Sequence, residues 1–265
     1  FWLAYHNRSD DKQILESLSH ALISNKSLEE ALGSMHNKKR NYRQEDRIRV
    51  GIVSDFLGHH AVGVHFENLI QHLCDSGMEV FIFCSPCAKE THAKLCTKSK
   101  TLRIRLPYSI KKSCDIVRSH DLDILLYSEI GMSAHAYTLA LARLSSVQAL
   151  MAGHPNTSGL NTIDYFISSE LMEAENSQRF YTEQLVCLTK LPSSMRRLKL
   201  PDKKVNRAEI GLPDDSILIG IPHALFKIHP DFDEVLEEIA QAAGNIKYIL
   251  IETPKKYLAK KLKER

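Results

Sequence analysis

The sequence predicts an α/β protein: a doubly wound parallel sheet covered by helices on both faces, preceded by short helices and followed by a second, smaller α/β unit. Two observations predict this fold class. Short apolar strands alternate with amphipathic helices through residues 46–200, the order expected of a doubly wound sheet. The predicted strands are also nearly continuous apolar runs, as a sheet buried on both faces requires.

The predicted elements of the main sheet follow in a regular order. Residues 11–40 show helical spacing of apolar side chains, and we expect residues 1–45 to form a helical lead-in and linker. Strands are predicted at residues 47–54, 78–84, 102–106, 122–127, 147–152, 163–167 and 185–188. The helices between them are predicted at residues 62–74, 110–119 and 134–144. Residues 46–200 should therefore form one complete Rossmann-like lobe.

A second unit is predicted to follow the basic stretch at residues 196–207. Its elements, within residues 208–265, are a strand at 217–221, a helix at 231–243, a strand at 246–251 and a basic helix. This unit is short for a doubly wound domain, and its last strand would expose an apolar edge unless another strand paired with it. We therefore expect it to be the start of a second Rossmann-like lobe, incomplete at residue 265.

Composition and charge narrow the classes of partner. The 265 residues are 43% hydrophobic with a net charge of +3, as in ordinary globular proteins. The last twelve residues are strongly basic, but no basic face with stacking aromatics is visible, so no nucleic-acid partner is expected. Because no apolar run could span a bilayer and the six cysteines show no disulfide-like pattern, we expect a cytoplasmic protein without a membrane span.

Ligands of such folds bind outside the carboxyl ends of the strands, so the loops there are the candidate sites. His60 lies after the first strand and just before a helix. A histidine can act as an acid or a base near neutral pH, or it can simply cap the helix. Glu129 follows another buried strand and could contact a sugar hydroxyl or accept a proton. The structural alternative for Glu129 is a solvated loop carboxylate.

Two more loops contain candidate binding residues. Residues 153–159, with the sequence GHPNTSG, combine glycines with small hydroxyl side chains, so their backbone could approach a ligand closely. Ordinary turns have the same composition. Lys227 lies between a strand and a helix, where it could neutralise a phosphate or extend into solvent.

Taken in order, these segments resemble the catalytic region of the SPINDLY and O-linked N-acetylglucosamine transferase family, above all bacterial members whose catalytic region follows helical (TPR) repeats. The resemblance rests on residues 1–10, 47–54, 60–63, 147–148, 153–159, 163–165 and 225–231. The most specific part is VQ followed by GHPNTSG and IDY, similar to the family's V-Q, G-[YH]-P-x-T-[ST]-G and D-Y signature.

The resemblance implies a GT-B architecture of two Rossmann-like lobes. It also implies transfer of N-acetylglucosamine from UDP-GlcNAc to a Ser or Thr hydroxyl, with inversion and with no cofactor or metal. By the same resemblance, His60 corresponds to the family's active-site histidine, acting as base or in donor positioning, and Lys227 to the lysine that neutralises the donor diphosphate. The other donor-binding candidates are Gly153, His154, Pro155, Thr157 and His223.

The chain also departs from the family pattern. Asn156 stands where glycine is frequent, and His223 with Ala224 where glutamine is common. The family's later Gly/His/Thr-rich donor loop has no counterpart before residue 265, so we expect these residues to be inactive alone. The expected partners are a UDP-sugar and an acceptor polypeptide or glycan.

Two alternatives remain open at this point. One is a degenerate or truncated lobe that binds a sugar or a protein without turnover. The other is a metal-dependent hydrolase that uses His59, His60, Cys84 and Cys87. A zinc site is not expected, because a structural site needs four ligands and the chain has no second C-x-x-C.

Overall fold

The computed structural model describes residues 11–33, 47–57, 60–88, 102–151, 153–193, 202, 205–251 and 256–264. The chain divides into two compact units, with the boundary after Arg197. Every helix in the described part of the chain is too short or too polar to cross a bilayer. The linker-like residues 1–10 lie outside the described residues.

A seven-stranded parallel sheet forms the centre of the first unit. Its strands are β1 (Arg49–Val53), β2 (Glu79–Cys84), β3 (Leu102–Arg105), β4 (Ile124–Tyr127), β5 (Val147–Met151), β6 (Tyr165–Ser169) and β7 (Gln184–Leu188). The helices of this unit are α1 (Asp11–Ile23), α2 (Lys26–Leu32), α3 (Ala61–Asp75), α4 (Ile110–Arg118) and α5 (Ala134–Ala140). The strand order is β3-β2-β1-β4-β5-β6-β7, and each neighbouring pair is parallel. The predicted doubly wound α/β fold is confirmed.

The order of the strands reverses between β1 and β4. From β1 the chain builds outward to β2 and β3, and it then returns to add β4 to β7 on the other side. Val53 is in register with Phe83 of β2 and with Tyr127 of β4, so these three strands end at the same level. The loops that follow β1 and β4 therefore border a crevice, which is where folds of this kind bind ligands.

Both faces of the sheet are buried, because helices cover each of them. Alternate side chains of the central strands point to opposite faces. On one face, Val53 and Leu125 belong to a buried cluster that includes residues of α4 and α5. On the other face, Ile52 and Leu126 pack in a cluster with residues of α3. This double cover is the physical reason that the strands are apolar at nearly every position.

The helices before the sheet pack onto the first unit. Leu32 of α2 belongs to the buried cluster of α4 and α5, and Arg118 of α4 donates a hydrogen bond to its carbonyl oxygen at 2.5 Å. Gly159 has a φ of +70° and lies so close to α1 that a Cβ would be 2.4 Å from the carbonyl carbon of Leu15. Residues 11–33 are thus part of the lobe, while residues 34–45, the rest of the predicted lead-in and linker, lie outside the described residues.

Several element boundaries differ from the sequence prediction, and two of these differences have a clear physical cause. The strand predicted at 163–167 begins at Tyr165, because Ile163 closes a turn by donating its N–H to the carbonyl of Leu160 at 3.2 Å. The helix predicted at 134–144 ends at Ala140, where the following N–H groups bond three residues back and tighten the chain into a turn.

The second unit contains a two-stranded parallel sheet. Its elements are β8 (Ile217–Ile221), α6 (Phe232–Ala243), β9 (Ile246–Leu250) and α7 (Lys256–Glu264). Its small core is formed by Ile221, Leu225 and Ile228, with Leu236 and Tyr248 packed against them. These elements form the β-α-β-α arrangement predicted for this unit, and its assignment as the start of a Rossmann-like lobe stays a prediction.

Replacing Gly51 with alanine tests the packing of the central strand. A Cβ at this position would lie 2.5 Å from Leu122 Cδ1 and 2.7 Å from Leu125 Cδ1, in the core of the sheet. We expect Gly51→Ala to lower the free energy of unfolding by about 1–3 kcal/mol in urea titrations followed by circular dichroism. Gly220→Ala in β8 is the matched control, since no atom lies within 4 Å of its added Cβ. Equal effects of the two substitutions would contradict the packing described for β1.

Candidate functional site

A cavity of about 670 Å³ opens at the carboxyl end of the sheet in the first unit. Residues of the loops after β1, β2, β3 and β4, and the first turn of α5, form its walls. The lining residues are Asp55, Phe56, His60, Ser85, Pro86, Cys87, Ala88, Tyr108, Met132, Ser133, Ala134 and His135. The cavity thus lies at the reversal of strand order, where the topology predicts a ligand site.

His60 is both a wall residue of the cavity and the N-cap of α3. Its Nδ1 accepts a hydrogen bond from the backbone N–H of Val62 at 3.2 Å, and its ring centroid lies 4.8 Å from that of Phe56. A nitrogen that accepts must be unprotonated, so a neutral His60 ring in this geometry carries its proton on Nε2. His60 therefore caps α3 and lines the cavity at the same time, and its role in catalysis or donor positioning stays a prediction.

Glu129 is fully buried, although it immediately follows β4. It accepts hydrogen bonds from the Ser54 hydroxyl at 2.8 Å and from the Asp55 N–H at 2.5 Å, and it also contacts the Ser128 hydroxyl. The prediction of a solvated loop carboxylate is wrong, and Glu129 is not among the residues that line the cavity. Its carboxyl group instead connects the ends of β1 and β4.

Asp55 connects three of the loops around the cavity. Its Oδ1 accepts from the N–H of Ser85 at 2.6 Å, and its Oδ2 accepts from the hydroxyl of Ser133 at 2.6 Å. Ser133 in turn caps α5 by accepting from the N–H of Ala136 at 3.2 Å. Asp55 was not among the residues predicted to belong to the site, and its only sequence signal is a carboxylate directly after a central strand.

The lining of the cavity suits an uncharged ligand. Phe56, Tyr108 and Met132 supply apolar and aromatic surface, and none of the lining residues within the described chain is Lys or Arg. The carboxylate of Asp55 is occupied by the hydrogen bonds just described. Sites of this composition bind ligands through apolar surface with a few oriented polar groups, as a sugar ring requires.

A second imidazole, that of His135, also lies in the wall. Burial lowers the pKa of His135, and its Nε2 lies 3.5 Å from the Ser113 hydroxyl. This half-buried ring is therefore held in its neutral form near neutral pH. His135 lies in the helix predicted at 134–144, but it was not among the predicted site residues.

The loop at 153–159 contacts protein at close range. A Cβ on Gly153 would lie 1.6 Å from the carbonyl oxygen of Ser128, so only glycine lets this backbone meet the loop after β4. His154 is only 1% exposed, whereas Pro155 is exposed. The backbone at Gly153 does make a close approach, as the sequence predicts, but the group that it approaches is the loop after β4.

Thr157 is also buried, and its hydroxyl donates to Glu183 Oε2 at 2.6 Å. Glu183 accepts from the N–H of Ser158 at 2.8 Å as well. The side chains of His154 and Thr157 are thus buried within the protein, and their assignment to donor binding stays a prediction. Glu183 could not be predicted from the sequence, because no local motif marks its partners, which lie 25 and 26 positions away.

Lys227 and His223 lie in one loop of the second unit. Lys227 is the last residue of a short 3-10 turn, Leu225–Lys227, between β8 and α6, and its side chain is exposed. Buried Leu225 and Ile228 fix this turn, and His223 is exposed just before it. The assignment of both residues to donor binding stays a prediction.

The C-x-x-C pair consists of two cysteines in different surroundings. Cys84 is buried, with its Sγ 3.7 Å from the carbonyl oxygen of Ile104, whereas Cys87 is exposed and its Sγ lies 3.6 Å from the Tyr108 hydroxyl. Among the described residues, no three His, Cys, Asp or Glu side chains are grouped so that they could hold a metal ion. His59, the remaining residue of the hydrolase alternative, lies outside them.

Fold and cavity together define a Rossmann-like α/β lobe with a ligand site at its reversal of strand order, joined to a second α/β unit. No protein-family model matches the chain. A lysine-to-methionine mutant of the Thermobaculum terrenum O-GlcNAc transferase superimposes with a TM-score of 0.68 at 21% identity, covering 97% of this chain and 52% of that one. This likeness confirms the predicted GT-B-like fold.

Comparison with curated protein sequences supports the same resemblance. The chain is 22% identical over 220 residues, 78% of its length, to a probable UDP-N-acetylglucosamine–peptide N-acetylglucosaminyltransferase SEC of Arabidopsis thaliana. It is 30% identical over 151 residues, 55% of its length, to a probable enzyme of that description, SPINDLY, of Oryza sativa. These alignments cover 22% and 16% of the two relatives, so the chain spans about a fifth of their length. The resemblance to the SPINDLY and O-GlcNAc transferase family is confirmed.

The buried carboxyl group of Glu129 predicts a pH-dependent stability. Burial raises the pKa of Glu129 to about 8 from 4.5, in spite of the hydrogen bonds from Asp55 and Ser54. Because the folded state favours the protonated form, the wild-type free energy of unfolding should fall, relative to Glu129→Gln, as the pH rises from about 4.5 to about 8.

Urea unfolding of both proteins across this pH range measures the effect, which should reach a few kcal/mol at most. Glu175→Gln, at an exposed position of the same unit, is the control and should show no such trend. A difference between wild type and Glu129→Gln that is constant with pH would show that the carboxyl group titrates normally.

Proposed function

We propose that the chain is part of a glycosyltransferase that transfers N-acetylglucosamine from UDP-GlcNAc to a Ser or Thr hydroxyl of a polypeptide, with inversion. The proposal rests on the cavity at the reversal of strand order, with His60 in its wall and no Lys or Arg among its described lining residues. It is supported by the names of the curated relatives, which describe UDP-N-acetylglucosamine–peptide transferases.

In this reaction the acceptor hydroxyl oxygen forms a bond to the anomeric carbon of the donor sugar. The bond from that carbon to the diphosphate oxygen breaks, and UDP leaves with the electron pair. The hydroxyl proton passes to a base, and attack opposite the leaving group inverts the anomeric configuration. Catalysis therefore has two requirements: orientation of the sugar and acceptor, and stabilisation of the charge that develops on UDP.

We assign the first requirement to the cavity. As long as Nδ1 of His60 accepts from Val62, the neutral ring is a hydrogen-bond donor at Nε2. This geometry supports a role for His60 in orienting a substrate oxygen more than a role as the base. The aromatic wall at Phe56 and Tyr108 would support the apolar face of a sugar ring.

We assign the second requirement to Lys227, with no cofactor. Its exposed side chain follows β8 in the loop that leads to α6, so the cation stands at the carboxyl end of a parallel strand. A fixed ammonium group stabilises a diphosphate as its negative charge grows. His223, exposed in the same loop, would add a hydrogen bond to the donor.

Substitution of Lys227 tests this assignment. In the full-length protein, Lys227→Ala should reduce sugar transfer from UDP-GlcNAc at least a hundredfold, since one charge-stabilising group is lost from the transition state. Lys247→Ala removes an equally exposed lysine from β9 of the same unit and is the control, for which we expect wild-type transfer. Radiolabelled transfer and UDP calorimetry give the readouts. Near-normal transfer by Lys227→Ala would exclude the assigned role.

Two substitutions of His60 separate its chemistry from its capping role. His60→Asn keeps a side chain that caps helices well, whereas His60→Ala does not, at a cost of about 1 kcal/mol of stability. We expect both variants to lose transfer by about a hundredfold or more, and only His60→Ala to unfold at a lower temperature. His72→Ala, at an exposed position near the end of α3, is the control. Wild-type transfer by His60→Asn would remove the imidazole from the reaction.

A further inference from the structure

We infer that Glu129 is a positioning residue for transfer: from its buried position it fixes the His60 segment, that is, Ser54, Asp55 and Phe56 after β1 together with His60. The inference rests on the proposed function, because it concerns the same cavity. Glu129 is not among the lining residues, so its effect on a ligand must pass through other groups. The hydrogen bonds of the described residues show which groups those are.

One path runs from Glu129 to the ring of His60. Glu129 accepts from the hydroxyl of Ser54 at 2.8 Å, and the Ser54 oxygen accepts from the N–H of Phe56 at 3.3 Å. The Phe56 ring then packs against the ring of His60, with centroids 4.8 Å apart. The position of the imidazole is thereby linked, contact by contact, to the carboxyl group.

A second path runs through Asp55 to the opposite walls of the cavity. Glu129 fixes the backbone of Asp55 by accepting from its N–H at 2.5 Å. The Asp55 side chain then holds the N–H of Ser85 and the hydroxyl of Ser133, each at 2.6 Å. Loss of the Glu129 carboxyl group should therefore loosen the walls after β2 and β4 together with the His60 segment.

An apolar side chain of similar size would not replace the Glu129 carboxyl group. Burying a carboxyl group without partners is strongly unfavourable, and its removal would leave the Asp55 N–H without its acceptor in a half-buried site. Ser128 lets the site accept either protonation state, since its hydroxyl can donate to Glu129 or to the Val53 carbonyl at 3.3 Å. The Glu129 carboxyl group thus has hydrogen-bond partners at the end of β1 in either protonation state.

The same two strands provide a matched control at their other end. Asp123, 3% exposed, precedes β4, and its carboxylate accepts from the N–H of Arg49 in β1 at 2.7 Å. It is therefore also a buried carboxylate that bridges β1 and β4, but at the edge of the sheet away from the cavity. A purely structural role for Glu129 predicts that the two residues behave alike.

The experiment compares Glu129→Ala, Glu129→Gln and Asp123→Asn in the full-length protein, below the unfolding temperature of each. The kcat of UDP-GlcNAc transfer should fall about a hundredfold in Glu129→Ala, as expected for a misplaced reacting group. Glu129→Gln should be intermediate, because its amide oxygen can still accept from Asp55. The UDP dissociation constant should be unchanged in all three, and Asp123→Asn should keep wild-type kcat.

Hydrogen exchange of residues 54–62 gives a readout that is independent of activity. Exchange should accelerate in both Glu129 variants and stay at the wild-type rate in Asp123→Asn. Equal kcat losses in the Glu129 and Asp123 variants, or unchanged exchange at 54–62, would overturn the positioning role. Absence of transfer in the wild-type protein would instead overturn the proposed function, and the exchange comparison would still decide whether Glu129 fixes this segment.

Discussion

The first unit depends on the parallel pairing of β1 with β4 at the centre of its sheet. All other strands are added outward from this pair, and the loops that leave it diverge to border the cavity. A buried carboxyl group stands at each end of the pair, Asp123 where the strands begin and Glu129 where they end. The pairing therefore determines both where the core forms and where a ligand site can open.

Side-chain carboxyl groups accept hydrogen bonds from backbone N–H groups in loops at both edges of the sheet. Asp55, Glu129 and Glu183 each accept at least one backbone N–H from a loop that follows or precedes a strand. Loops cannot pair their N–H groups as strands do, so buried loops need such acceptors. Apolar packing holds the sheet and its helices, whereas the contacts of Asp55 and Glu129 join the loops that form the cavity walls. Stability and site geometry are thus supported by different interactions.

The sequence predicted the sheet well, because β1, β4 and β5 are apolar on both faces and leave a nearly unbroken apolar run. It also located His60 at a junction of strand and helix. The surroundings of Glu129 could not be predicted, since its partners Ser54 and Asp55 lie 75 and 74 positions away and a solvated carboxylate would have the same local sequence. Likewise, nothing local to Thr157 indicates that its hydroxyl is bound by Glu183 inside the protein.

The close contact of Gly159 with α1 has a consequence for dissecting the protein into parts. The backbone of this glycine lies against that of Leu15, Asn156 donates to Asp11 at 2.5 Å, and Thr182 donates to Glu16 at 3.0 Å. A truncation that starts at β1 would remove these contacts. An autonomous version of the lobe should therefore include α1, which lies well before the first strand of its sheet.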